Sequence, residues 1–189
     1  MTTPALSHRA QIGAFAVLAV LMAATRFHHF VPVPDGSWAI FFAGGFYLAG
    51  ASRWAFPLLM IEAVLVDYWA IHYAGVSDFC VTGAYGFLVP THAVLWFGGR
   101  LLRGAPLNRV GLLKLAGCSF IATSLAYWIS NTSFYWLGGR YAEPNLAQYL
   151  ERFFMYYGHF LLVTMSYIAV AAVVHLGVVL GLRPSESRT

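Results

Sequence analysis

Six long apolar runs, separated by short polar connections, restrict this chain to one kind of fold. They cover Ala10–Thr25, Ser37–Gly50, Trp54–Tyr73, Tyr85–Leu102, Val110–Ser130 and Leu150–Leu182. Only 10% of the residues are charged and 60% are hydrophobic, whereas a soluble domain carries about 25% charged residues. In lipid every backbone polar group must be paired within the protein, so the runs must be helices. The alternating pattern of a membrane barrel is absent. The expected fold is therefore an all-α integral membrane protein, a six-transmembrane-helix bundle forming one domain over residues 1–189. The second run is short for the ~20 residues that cross a hydrocarbon core, and the last is longer than needed. The first run ends in Ala23-Ala24-Thr25 and superficially resembles a signal peptide, but its weak basic lead predicts a retained helix.

Lys and Arg set the orientation. With six spans, Arg9, Arg53, Arg100, Arg103, Arg109, Lys114, Arg183 and Arg188 share one side, while Arg26, Arg140 and Arg152 share the other. This asymmetry predicts cytoplasmic termini. The connections Phe27–Gly36, Ala74–Ala84 and Asn131–Tyr149 then face outward, where a substrate would be captured. Gly98-Gly99-Arg100 and Gly138-Gly139-Arg140 both read as glycine-rich helix stops. The basic residues are scattered at run ends, unlike a nucleic-acid-binding stripe. No GxxxxGK[ST] loop occurs, so the chain has no evident means of hydrolysing ATP.

The chemistry-bearing residues gather near the outer connections. Cys80 lies in Gly75-Val76-Ser77-Asp78-Phe79-Cys80-Val81-Thr82-Gly83, a short polar segment between two runs. A thiolate is a strong ligand for soft or borderline metals, although most lone cysteines are only small hydrophobes. Cys118 falls in the inner half of the fifth run, so no disulfide between the two is expected. Charges inside spans are costly, which singles out Asp67 and Glu62. Asp67 is placed to bind a polar ligand or to pair with Arg26 or a tyrosine hydroxyl; Glu62 reads as structural. His28-His29 suggests a metal, but no third ligand recurs at helical spacing. His72, His92, His159 and His175 read as hydrogen-bonded bundle residues. Trp38, Tyr68, Trp69, Tyr73, Tyr85, Tyr127, Trp128, Tyr135, Trp136 and Tyr141 suit either an interfacial belt or the walls of a large flat ligand. Asn131, Ser133 and Asn145 offer hydrogen bonds to that ligand. Ala10, Ala14, Ala19 and Ala23 give the first helix a small-residue face for close helix packing, inside the bundle or against a partner.

The size, the six runs and this alanine face resemble the substrate-binding S-components of energy-coupling factor (ECF) vitamin transporters. Asp67-Tyr68-Trp69, Ser77-Asp78-Phe79-Cys80 and Tyr85-Gly86-Phe87 together resemble the BtuM family, the cobalamin-specific S-components of Gram-negative bacteria. The resemblance spans essentially the whole chain. It implies capture of cobalamin (vitamin B12) at the periplasmic face of the inner membrane, with Cys80 as axial thiolate ligand to the corrin cobalt and the nucleotide base detached. It carries over Asp67 and Tyr85 as neighbours of the site; Arg26, His28, Tyr68, Asn131 and Tyr135 join them from topology. It also implies an ECF energising module docked on the alanine face. A thiolate trans to cyanide should weaken that bond, so removal of cyanide from cyanocobalamin is a further expectation. Two other readings stand beside this one: an intramembrane thiol enzyme using Cys80 with His72 or His92, and a small assembly subunit.

Overall fold

A computed structural model of the chain describes residues 6–26 and 34–181. Among them the α-helices are α1 (His8–Arg26), α2 (Ser37–Tyr47), α3 (Ser52–Tyr73), α4 (Leu88–Arg100), α5 (Arg109–Leu137) and α6 (Leu146–Gly181). Short 3-10 turns occupy Ala49–Ala51, Asp78–Cys80 and Gly83–Phe87, and no strand occurs among the described residues. The fold is all-helical, as the apolar runs require.

Among the described residues, four segments are long and apolar enough to cross a membrane: His8–Arg26, Ala49–Tyr73, Arg109–Leu137 and Leu146–Gly181. The second and fourth runs depart from the expected full spans. α2 has 11 residues and α4 has 13, which at 1.5 Å per residue gives only about 17 and 20 Å. α2 is followed after Leu48 by the Ala49–Ala51 3-10 turn, and α4 is entered directly from the Gly83–Phe87 turn. The fifth run departs in the other direction. α5 continues two turns past Ser130 to Leu137, so Asn131 and Tyr135 lie on a helix and the connection to α6 shrinks to residues 138–145. The polar run Ser130–Ser133 is accommodated within the helix because Ser133 Oγ donates back to the Ser130 carbonyl at 3.0 Å and Thr132 Oγ1 meets Tyr149 Oη at 2.7 Å. The helix stops at Gly138, and Gly139 follows with φ 65°, a conformation that favours glycine.

α2 is the core of the bundle. Ala39, Ile40, Phe41 and Phe42 are buried on it, and α1, α3, α4 and α6 all pack around it. Its closest neighbour is α4, and two glycine pairs set that approach. A Cβ on Gly45 would collide with the Trp96 carbonyl oxygen, and one on Gly99 with the Phe42 carbonyl oxygen. Gly98 faces the Ala122 methyl of α5, where an added Cβ would also collide, though less severely. This corrects the reading of Gly98-Gly99 as a helix stop. Both sit inside α4, where the missing side chains let two backbones touch. Of the two glycine pairs read as stops, only Gly138-Gly139 is one.

α1 lies at the rim. Ala14 and Ala19 pack against the bundle's own core, Ala10 is exposed and Ala23 is half-buried. The bundle has two distinct ends: one carries Arg26, Asp67, Cys80 and the start of α6; the other carries Arg100, Arg103, Arg109 and the His175 turn of α6.

Gly99→Ala is expected to destabilise the protein by at least about 2 kcal/mol, because backbone atoms and not a flexible side chain must move. Gly177→Ala, in a helical position with open space around it, is expected to be neutral or to stabilise by up to about 1 kcal/mol. Thermal unfolding of the two variants in the same detergent checks the contrast; equal shifts would refute the close-crossing account.

Candidate functional site

The Cys80 end is built around an ion pair between α1 and α3. Arg26 Nε donates to Asp67 Oδ1 at 2.6 Å and Nη2 donates to Oδ2 at 2.7 Å, a bidentate arrangement. Tyr85, on the Gly83–Phe87 turn, donates its hydroxyl to Asp67 Oδ2 at 2.7 Å. Arg26 Nη1 reaches further, to Ser37 Oγ at 2.9 Å and Asp35 Oδ2 at 3.3 Å. Asp35 in turn accepts from the Ser37 N–H at 2.9 Å and from its hydroxyl at 2.6 Å, an Asx turn that starts α2. One guanidinium thus joins α1, the start of α2, α3 and the turn before α4. Of the two roles open to Asp67, pairing with Arg26 and a tyrosine hydroxyl is the one the structure adopts. The sequence signal for Asp35 and Ser37 was the Asp-Gly-Ser start of α2.

Cys80 closes the Asp78–Cys80 turn, whose first residues are fixed by Ser77 Oγ accepting from the Phe79 N–H at 3.2 Å. The turn is pinned from the far side by Arg140, in the connection after α5. Arg140 Nε donates to the Phe79 carbonyl at 3.0 Å, and the guanidinium carbon lies 5.0 Å from the Phe79 ring centroid. In the sequence Arg140 marks only topology; its part in holding the turn depends on a contact between residues 61 apart. Cys80 is exposed and unpaired, and Cys118 is a separate half-buried thiol. Although part of its surface meets solvent, the surrounding groups desolvate the Cys80 thiol and push its pKa up. The Asp67 carboxylate adds to that rise and Arg140 opposes it. The free thiol is therefore protonated at neutral pH.

Other predicted site residues are distributed unevenly. Tyr68 is exposed on α3 and stacks on His72 with ring centroids 4.1 Å apart. Tyr135 is buried: its hydroxyl donates to Gln148 Oε1 at 2.8 Å and accepts from the Asn145 N–H at 3.0 Å, so it clamps α6 to α5. Asn131 is half-buried on α5, away from any loop. His28 lies outside the described residues. The aromatic supply divides similarly. Tyr127 and Tyr135 pack with Tyr149, Phe153 and Tyr157 in a seam between α5 and α6, whereas Tyr68, Trp69, Tyr73, Trp128 and Trp136 remain exposed.

Neither imidazole considered as a base for Cys80 hydrogen-bonds to it. His72 donates from Nδ1 to the Tyr68 carbonyl at 2.9 Å. His92 is fully buried, donates from Nδ1 to the Leu88 carbonyl at 2.7 Å, and leaves Nε2 unpartnered in the interior. Among the described residues, no three of His, Cys, Asp and Glu converge as a metal-binding group. Cys80 lines neither of two cavities of about 340 and 330 Å³; the first lies at the opposite end of the bundle and the second beside Glu62 between α1 and α3. Comparison with protein-family models and with curated protein sequences gives no match for this chain.

Asp67→Asn takes the bidentate carboxylate from the largely buried Arg26 guanidinium and leaves only the longer ion pair to Asp35, and a loss of about 2–4 kcal/mol is expected. Tyr85→Phe removes one hydrogen bond to a carboxylate that keeps both guanidinium bonds, and about 1 kcal/mol is expected. Thermal melts that rank Tyr85→Phe as the more damaging change would contradict the hierarchy.

Proposed function

We propose that this protein binds cobalamin at its Cys80 end and takes it up across a bacterial inner membrane. The observation that carries the reading is the Cys80 turn: an exposed, unpaired thiol on a rigid three-residue turn, fixed by Arg140 and within electrostatic reach of Asp67. A corrin already holds cobalt through four equatorial nitrogens, so the protein need offer only one axial donor. A single thiolate meets that need, where an ordinary zinc site would demand several ligands. The thiol-enzyme reading lacks support because Cys80 has neither His72 nor His92 as a hydrogen-bonded base.

In this reading the Arg26–Asp67–Tyr85 network is the floor of the site and not its ligand set. It fixes the α1–α3 frame from which exposed Tyr68 and Trp69 offer apolar contact to the corrin. Coordination costs the thiol its proton. A cyanide across the metal from the thiolate leaves as its anion and takes up a proton, so cobalt keeps its oxidation state while hydrogen cyanide is released.

We read α2 and α4, with their adjoining 3-10 turns, as additional crossings shielded from lipid by their neighbours, which gives six passes and cytoplasmic termini. Irregular backbone at membrane depth is tolerated where protein covers it, and α2 is covered on most sides. An energising module with its own ATPases would dock on α1. Since Ala14 and Ala19 are used internally, the face left for it runs through Ala10, Ala16, Val17, Val20 and Ala24.

Protein purified with cyanocobalamin present should retain the corrin chromophore with an altered axial-ligand band, and Cys80→Ala should leave the free cyano spectrum unchanged. Cyanide loss at the wild-type rate in Cys80→Ala would sink the thiolate role. Because the free thiol is protonated and its pKa raised, binding of a corrinoid that carries no cyanide releases one proton, whereas with cyanocobalamin the departing cyanide takes that proton up. Apparent affinity for the cyanide-free corrinoid should therefore rise about tenfold per pH unit between pH 6 and 8, and level off only above the thiol's pKa. A titration series with no pH dependence would count against thiolate ligation.

A further inference from the structure

A cavity lies at the basic end, apart from the Cys80 end. It has a volume of about 340 Å³ and opens between the end of α2, the α4–α5 connection and the last third of α6. Its walls are apolar, with Phe46, Leu115, Ile168 and Ala172 among them. On α5 the lining runs from Asn108 to Leu115, and on α6 from Ile168 to Leu176, depths of about 10 and 12 Å. Leu112 and Leu176 line it while remaining 64% and 41% exposed, so the groove is continuous with the outer apolar surface of helices long enough to cross a membrane. A groove open to that surface meets acyl chains before it meets any soluble ligand.

Among the described residues, the charged side chains on and next to the α4–α5 connection are all cationic. Arg103 and Arg109 bracket the lining segment of residues 105–108, both are exposed, and neither forms an ion pair among the described residues. Asn108 caps α5 by accepting from the Val110 and Gly111 N–H groups at 3.0 and 3.1 Å, so the positive end of a 29-residue helix also meets the rim. Within the groove one polar pair interrupts the apolar wall: Tyr47 Oη and His175 Nδ1, 2.9 Å apart. Cationic rim, short polar step and apolar trough follow, in order, the phosphate, ester and acyl regions of a phospholipid. Basic pockets between helices on the side of a membrane rich in Lys and Arg bind anionic headgroups for the same reason.

We propose that this cavity holds one acyl chain of an anionic phospholipid whose phosphate rests on Arg103 and Arg109. Bound there, the lipid would brace the α4–α5 connection against α6. The proposal does not depend on cobalamin.

Protein purified in detergent is titrated separately with phosphatidylglycerol and phosphatidylcholine, and the adducts are counted by native mass spectrometry. One phosphatidylglycerol should bind at least tenfold more tightly than phosphatidylcholine. The double variant Arg103→Gln/Arg109→Gln, altered only at exposed positions, should reduce that preference to within twofold. Ala172→Phe, which fills the trough, should weaken both lipids at least fivefold, with circular dichroism verifying its helix content. Equal binding of the two lipids by the wild type, or a preference unchanged in the double arginine variant, would overturn the proposal. If Ala172→Phe fails to fold, the arginine variant still decides.

Discussion

The pairing of Arg26 with Asp67 is the interaction on which the Cys80 end depends. A charge inside an apolar bundle is tolerable only when it is paired and its hydrogen-bonding capacity is used. Here two charges from different helices neutralise each other in a bidentate geometry, and the remaining capacity is taken by Tyr85, Ser37 and Asp35. The pair therefore does more than hold α1 to α3. It fixes where the chain enters α2, and by joining Asp67 of α3 to Tyr85 of the turn before α4 it ties together the two sides of the segment that carries Cys80. The cost of burying the charges falls on one cluster, while the turn above it stays exposed.

The glycine contacts between α2 and α4 play the matching role lower in the bundle. Without a hydrophobic driving force between helices in lipid, close backbone approach and shape fit must hold them together. Gly45 against the Trp96 carbonyl and Gly99 against the Phe42 carbonyl allow an approach that any side chain would block. Two short helices that could not be stable alone are thereby wedged among four long ones.

The all-helical class and the long helices were legible in the sequence, because apolar run length and the rarity of charge are local quantities. Contacts between distant residues were less so. Nothing local distinguishes Gly98-Gly99 as a packing surface from Gly138-Gly139 as a stop; the difference lies in what stands opposite each pair. Likewise Ser130–Ser133 reads as a loop until Tyr149 is seen to meet Thr132. At the site, Asp67, Arg26 and Tyr85 were legible as a group, but their mutual bonds were one of two open possibilities. By apolar-run length alone Asn131 and Tyr135 fall in a loop, because the polar residues from Ser130 to Ser133 end the run two turns before α5 ends. Arg140 reaches the Cys80 turn from the connection after α5, 61 residues on, and no pattern in the sequence joins them.

The proposal that Cys80 ligates cobalt rests on one atom, and that atom can be observed directly. X-ray absorption at the cobalt edge of the cobalamin-loaded protein should find one sulfur in the metal's first coordination shell, and none in Cys80→Ala. A shell made only of nitrogen, oxygen and carbon in the wild type would contradict the account.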